Sequence, residues 1–486
     1  MVALLATSSR VTGFRAHARR ASRRAAAGAL HASPTMLATG AWLPVGSVDA
    51  LSTLGPTRVE IAGQKYAVWE HEGVWSVLAD ACPHRLAPLS QGHVDRKTGC
   101  LECPYHGWQF DASGECTKVP QSDRGASVGT RAGGVRTKVL GDILWAQLDG
   151  LGDALAAWDG AEGTSAESPE QLWPVLANLS STTVRELPYS LEFLVENFMD
   201  PAHVPFAHHG LQGVRSDGSP VPMALVASTP SVLEVSFADT IRGKRRTGIA
   251  SFRLPCIYHF RTQDEGGEFK VRLVILCTPV RPGVSRAFVS VMGRAAPGWF
   301  PKWLSHSLSN RFLDTDVWLH DAERWARGTA TTAPLSGSAG GADAAAPGAT
   351  GLGGLPYALP TSSDAGTRLF RQWWARNAVA DCVGFGAAQP AQLQWESRMA
   401  QFDRFHAHTA SCQHCQRALR RWKRVRTAAP LAAILPSALG LPVAVRLGGV
   451  LLWLALHALS TKAIPALEGP GTPGELGARV LVADDE

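Results

Sequence analysis

Acidic residues are missing from the first 48 positions of this 486-residue chain. The same stretch holds Arg10, Arg15, Arg19, Arg20, Arg23 and Arg24, and these six equal the whole formal charge of +6. The remainder is balanced overall, so no nucleic-acid-binding surface is implied. Unbroken apolar runs are short as well. Leu431–Val445 and Leu447–Leu459 are split by Arg446 and accompanied by Pro430, Pro436 and Pro442, whereas a straight membrane span needs about 20 apolar residues. A nucleotide-binding glycine loop is lacking: Gly469-Pro-Gly471-Thr-Pro-Gly474 has the spacing but carries two prolines and follows no strand, so no reductase module is indicated. The nine cysteines are scattered along the chain without a secretory signal, which argues against a disulfide scaffold and for metal ligation or redox chemistry.

The length suggests two domains and a tail, and a hydrophobic content of 45% suits a globular core. Residues 1–36 are rich in Ala, Ser and Arg and read as an organelle transit peptide. Residues 38–150 read as all-β, with short apolar runs at Arg58–Ile61, Lys65–Trp69 and Val74–Leu78 broken by turns. After a Gly/Ala/Ser-rich connection, residues 170–415 read as α+β. Strands are expected at Val232–Thr240, Thr247–Leu254, Phe269–Val280 and Arg286–Gly293, with a helix over Lys302–Arg327. Residues 328–366 read as a flexible insertion. Residues 416–486 form a basic, then apolar tail; Arg417, Arg420, Arg421, Lys423, Arg424 and Arg426 ahead of the apolar runs favour a membrane anchor.

Two constellations carry chemistry. The first is Cys82-Pro-His84, an interval of 18 residues, and Cys103-Pro-Tyr-His106-Gly-Trp108. Two thiolates and two imidazoles in paired loops are the ligand set of a Rieske [2Fe–2S] centre, with Cys82 and Cys103 on one iron and His84 and His106 on the other. Cys2His2 also suits zinc, but the short Cys-x-His arm does not fit a zinc finger. Cys100 lacks a histidine at the required spacing, and His93 reads as a loop residue.

The second is Asn197-Phe-Met-Asp200-Pro-Ala-His203-Val-Pro-Phe-Ala-His208. A spacing of three places Asn197, Asp200 and His203 on one helical face, and Pro205 should end that helix and turn His208 back towards His203. Two imidazoles beside a carboxylate suit a divalent metal. His209 is the alternative to His208. A third motif, Cys412-Gln-His-Cys415, is open between a redox-switchable pair, half of a metal site and two unrelated thiols.

Together the two motifs resemble those of the Rieske non-haem iron oxygenases. The phrases Cys82-Pro-His-Arg-Leu-Ala-Pro-Leu-Ser and Asn197-Phe-Met-Asp-Pro-Ala-His-Val-Pro-Phe-Ala-His-His-Gly, with the leader, the late Cys-x-x-Cys and the apolar tail, resemble the chloroplast pheophorbide a oxygenase group. That resemblance implies a mononuclear Fe(II) held by His203, His208 and a later carboxylate, either Asp316 or its rival Asp314, with Asp316 preferred. It also implies that Asp200 bridges a Rieske histidine of one subunit to an iron-ligand histidine of the next in a homotrimer. Asn197 would line the pocket or bond locally; of the three readings of Cys412 and Cys415, the redox pair is the one preferred from the motif itself. Ferredoxin would be the electron donor, O2 and a tetrapyrrole the substrates, and a chloroplast envelope or thylakoid membrane the location. The implied reaction is oxygenolytic opening of the pheophorbide a macrocycle. Side-chain hydroxylation of a tetrapyrrole, or redox sensing in an envelope import complex, are the alternatives.

Overall fold

The structure, a computed structural model, describes residues 38–51, 55–122, 129–150, 174–179, 182–263, 267–292, 299–329, 357–377 and 396–470. The leader 1–36, the connection 151–173 and most of the insertion, 330–356, lie outside the described residues.

Among the described residues ten strands precede residue 151: β1 Ala38–Ser47, β2 Thr57–Ile61, β3 Gln64–His71, β4 Val74–Ala79, β5 His93–Val94, β6 Leu101–Glu102, β7 Gln109–Phe110, β8 Cys116–Lys118, β9 Arg136–Leu140 and β10 Ile143–Gly150. They form three small antiparallel sheets, β1-β10-β9, β2-β3-β4 and β5-β6-β7-β8. The runs expected at 58–61, 65–69 and 74–78 are β2, β3 and β4; β2 and β4 are one residue longer than expected and β3 three. His93 lies in the two-residue strand β5 rather than in a loop, and its ring is exposed.

The second region is built on seven strands: β11 Thr183–Leu187, β12 Met223–Ser228, β13 Val232–Ile241, β14 Lys244–Arg253, β15 Ile257–Gln263, β16 Phe269–Arg281 and β17 Val284–Val291. All pair antiparallel in the order β11-β17-β16-β15-β14-β13-β12. Side chains alternate between faces along each strand, and both faces are used. Ile257, Val274, Leu276 and Phe288 join the core of the first region, among Leu43, Ile143 and Trp145. Tyr258, Ile275 and Ala287 point the other way, into a core with Leu194, Val195, Phe370, Trp373 and Trp374. The two regions therefore share a wall. Turn residues Ala62 and Gly63 also donate to the carbonyls of Pro279 and Val280 at 2.9 and 2.7 Å.

Among the described residues six helices cover this frame: α1 Leu191–Phe198, α2 Lys302–Asp314, α3 Leu319–Thr329, α4 Ala365–Arg376, α5 Gln413–Ala428 and α6 Val443–Glu468, beside several single turns and a short helix Leu431–Ala438. Trp373 and Trp374 sit on α4 and are core residues, the Trp373 indole donating to the Thr229 carbonyl at 2.6 Å. The helix expected over 302–327 is two helices with a turn at 315–318 between them. Thr315 causes part of that break, because its Oγ1 bonds the Phe312 carbonyl at 2.6 Å and competes with the helical ladder.

The tail is organised further than its sequence suggests. Despite Arg446 and Pro465, α6 is one helix of 26 residues, long and apolar enough to cross a membrane. Residues such as Val443, Leu447, Leu451 and Leu459 along it are exposed. Its last turns are not: Ile464 and Leu467 pack with Ala418 and Leu419 of α5. The expected start of the tail at 416 falls inside the first turn of α5, and both that turn and the last turns of α6 pack against the body.

Candidate metal centres and pocket

The paired loops of the first region have matching backbones. The Cys82 N–H donates to the Ala87 carbonyl and the Cys103 N–H to the Trp108 carbonyl, both at 2.8 Å. The fourth residue after each cysteine, Leu86 and Gly107, is left-handed, with φ of 58° and 71°. That conformation lets each loop reverse within six residues; glycine adopts it freely, and Leu86 adopts it while largely exposed. Cys82 and Cys103 are buried. The imidazoles of His84 and His106 lie nearer solvent, with ring centroids 4.6 Å apart, and His84 stacks on Trp108 at 4.6 Å. Burial pushes the Cys82 thiol up to about 11, and burial with the neighbouring His84 and Arg85 lowers the His106 imidazole. Two soft sulfurs inside and two imidazole nitrogens outside are a donor set that fits a Rieske cluster.

The second centre is assembled at the edge of the seven-stranded sheet. Ser190 caps α1 by accepting from the Phe193 N–H. α1 stops at Phe198, whose carbonyl accepts from the Tyr258 hydroxyl at 2.7 Å. The expectation of one helix through Asn197, Asp200 and His203, broken at Pro205, is corrected here. The break lies at Asp200, which is extended with φ −115° and ψ 90°, because Pro201 disfavours helical backbone in the residue before it. Pro205 instead occupies the first turn of the short helix Val204–Ala207, where a missing N–H does no harm. His208 follows directly and faces back on His203.

The histidine ring nitrogens His203 Nε2 and His208 Nε2 are 3.2 Å apart. Asp316 Oδ2 lies 3.5 Å from His208 Nε2, and the three ligand atoms lie within 4.8 Å of one another. Both rings have their tautomer set by a partner. His203 Nδ1 bonds the Asp200 carbonyl oxygen, which can only accept. His208 Nδ1 lies 2.7 Å from Thr315 Oγ1, whose own proton is committed to the Phe312 carbonyl. The Nε2 lone pairs of both rings therefore face each other. Asp316 accepts from Asn197 Nδ2 at 3.2 Å through Oδ2, while its buried Oδ1 has no hydrogen-bond partner. Burial raises the Asp316 carboxyl to about 6, and burial and His203 lower His208 to about 3. Converging lone pairs and an orphaned carboxylate oxygen fit a divalent cation, since ligands about 2.1 Å from one ion at right angles stand roughly 3 Å apart.

Asp314 faces elsewhere. It pairs with Arg185 at 2.6 Å and with Arg404 at 2.8 Å. Asp200 is tied locally within the chain. Its carboxylate Oδ1 accepts from the Ala202 N–H at 2.9 Å, capping the turn Pro201–His203, and it is the backbone carbonyl that holds His203. Thr315 was not singled out from the sequence; its position beside both Asp candidates was the available signal.

His203 and His208 open onto a cavity of about 940 Å³. One face of the sheet lines it with Phe237, Tyr258, Phe260, Ile275 and Val289, and α2 adds Phe312. Arg242, Arg246 and Arg272 reach its wall. Arg246 is paired with Asp239 at 2.7 Å, whereas Arg242 and Arg272 are anchored by the Leu211 carbonyl and Thr262 Oγ1.

Comparison with known proteins agrees with this anatomy. The Rieske [2Fe-2S] domain family matches residues 41–137, and the pheophorbide a oxygenase family matches residues 252–327. Over 402 residues the chain is 30% identical to a chloroplastic pheophorbide a oxygenase of Oryza sativa subsp. japonica, covering 77% of this chain and 72% of that protein. It is 28% identical to flavonoid 8-hydroxylase 2 of Ocimum basilicum, covering 78% and 73%. It is 27% identical to the protochlorophyllide-dependent translocon component 52 of Arabidopsis thaliana, covering 78% and 72%.

Proposed function

Because the chain belongs to the Rieske non-haem iron oxygenases of the pheophorbide a oxygenase type, we propose that it is a ferredoxin-dependent monooxygenase acting on a chlorophyll-derived tetrapyrrole. Oxygenolytic opening of the pheophorbide a macrocycle is the specific reaction. Cys82, His84, Cys103 and His106 would hold the [2Fe–2S] cluster, and His203, His208 and Asp316 the Fe(II). When bound, these centres supply two electrons and O2 activation, so that one oxygen atom enters the substrate and the other leaves as water.

The protein's own part is positioning. Thr315 and the Asp200 carbonyl hold the two imidazoles with Nε2 forward, and Asn197 orients the Asp316 carboxylate. Phe237, Phe260 and Phe312 exclude water and offer flat apolar surface. The observation that carries the substrate class is the cavity itself. At about 940 Å³ it lies near the upper end of small-molecule sites, which run to roughly 1,000 Å³. That volume suits a tetrapyrrole better than a flavonoid. Arg242 and Arg272 at the wall suit the propionate such a pigment carries.

In the same reading, Asp200 receives a Rieske histidine from a second copy in a head-to-tail homotrimer, as a closed heterologous ring requires. Residues 1–36 are a chloroplast transit leader, 38–150 the Rieske domain, 170–415 the catalytic domain with its insertion 328–366, and 416–486 the tail. The exposed apolar stretch of α6 and the basic face of α5 favour attachment to an envelope or thylakoid membrane.

The test is O2 uptake by the purified full chain with reduced ferredoxin and, separately, pheophorbide a, chlorophyllide, protochlorophyllide and a flavone. Uptake coupled to an oxygenated, ring-opened product of pheophorbide a is expected. Turnover of the flavone alone, or of no pigment, would overturn the reading.

A further inference from the structure

Cys412 and Cys415 do not stand alone. His306 of α2, more than a hundred residues earlier in the chain, and His408 converge on them. His408 Nε2 lies 3.2 Å from Cys415 Sγ, and His306 Nδ1 lies 3.4 Å from Cys412 Sγ and 3.5 Å from Cys415 Sγ. The four ligand atoms fall within 4.8 Å of one another, and none of the four residues is more than 4% exposed.

We propose that His306, His408, Cys412 and Cys415 form a structural zinc site, separate from both iron centres. Ligands about 2.0–2.3 Å from a tetrahedral zinc stand roughly 3.3–3.8 Å apart, close to the spacings here. The donor set also balances charge, since two thiolates neutralise one Zn2+ in a buried position.

The surroundings are those of a prepared site. His408 Nδ1 bonds the Val184 carbonyl of β11, so its proton is on that side and Nε2 is bare towards Cys415. His408 sits in the π-helical turn Phe405–Thr409, where the Ala410 N–H reaches the Phe405 carbonyl at 2.7 Å. Such widened turns are uncommon and concentrate at functional sites. Cys412 is the N-cap residue of α5 and Cys415 lies in its first turn, where the positive end of the helix favours thiolates. Both thiols are free and buried. A disulfide switched by an external reductant needs at least one sulfur at the surface, so the geometry favours an ion over the redox pair expected from Cys-x-x-Cys alone. The ion would tie α5 to α2 and β11.

The experiment uses the purified full-length holoprotein, dialysed against a weak chelator. Elemental analysis should find one zinc per chain beyond the iron, and zinc K-edge absorption should show two sulfur and two nitrogen neighbours. His306→Ala and Cys415→Ser should lower bound zinc at least about tenfold while the Rieske EPR signal persists. Should those variants fail to fold, the wild-type absorption spectrum still decides. Wild-type protein with an intact cluster but no zinc, zinc with only nitrogen and oxygen neighbours, or a Cys412–Cys415 disulfide in the active protein would each overturn the proposal.

Discussion

Thr315 Oγ1 stands 2.7 Å from His208 Nδ1 and donates its own O–H to the Phe312 carbonyl. A residue that never faces the cavity thereby decides which nitrogen of His208 faces it. Thr315→Val keeps the shape but removes the acceptor. It should lower mononuclear iron affinity by about 10–100-fold, the usual effect of losing a ligand's supporting bond. Thr315→Ser should restore it. Iron titration against an unchanged Rieske spectrum measures both.

The two candidate carboxylates separate by their neighbours. Asp316→Asn should leave the fold intact and abolish mononuclear iron binding. Asp314→Asn should keep the ligand set but leave Arg185 and Arg404 buried without their partner, costing about 3–5 kcal/mol. Thermal melts and iron content of the two variants should show opposite patterns; the same pattern in both would end this assignment.

The first region can be tested by spectroscopy. His106→Cys should move the EPR signal from the Rieske type towards the all-thiolate type or destroy the cluster. A colourless wild-type protein holding only zinc at Cys82, His84, Cys103 and His106 would defeat the cluster reading.

Much of this was legible in order along the chain, and the reason is local spacing. Cys82-x-His84, Cys103-x-x-His106 and the Asn197–His208 run are each complete within a dozen residues, and the two cluster arms stand only 18 residues apart, so the pattern survives any error in fold. Asp316 could not be separated from Asp314 by spacing, because the turn 315–318 rotates the two apart and only the positions of Arg185, Arg404 and Asn197 show which way. His306 was invisible as a partner of Cys412 for the same reason at longer range. Strand β15 escaped notice between two longer runs, and the helix break fell at Pro201 although Pro205 offered an equal signal.

Asp200 can be probed at the junction its position suggests. Asn at this site can still cap the turn at Ala202, so Asp200→Asn should change stability by less than about 1 kcal/mol. Both metals should be retained and ferredoxin should still reduce the cluster, yet turnover should fall steeply. Pre-steady-state reoxidation of the cluster with substrate and O2 is the measurement; a wild-type rate would remove Asp200 from the electron route.

The cavity arginines should act on binding. Arg272→Met should lower kcat/KM for a carboxylate-bearing pigment about 10–100-fold, mainly through KM, as expected for a charged hydrogen bond worth about 1.5–3 kcal/mol. The methyl ester of the same pigment should be insensitive to the change.

Arg404 makes the docked end of α6 matter for anyone shortening the chain. Its guanidinium donates to the carbonyls of Pro465 and Ala466 at 3.3 Å each and to Asp314, while the Thr409 hydroxyl donates to the Leu467 carbonyl at 2.6 Å. Cutting before residue 430 to improve solubility would strip the buried donors Arg404 and Thr409 of these acceptors, and Arg404 is the partner of Asp314, two residues from Asp316. Polar replacements at exposed positions such as Leu447, Leu451 and Leu459 would quiet the apolar arm and leave its root in place.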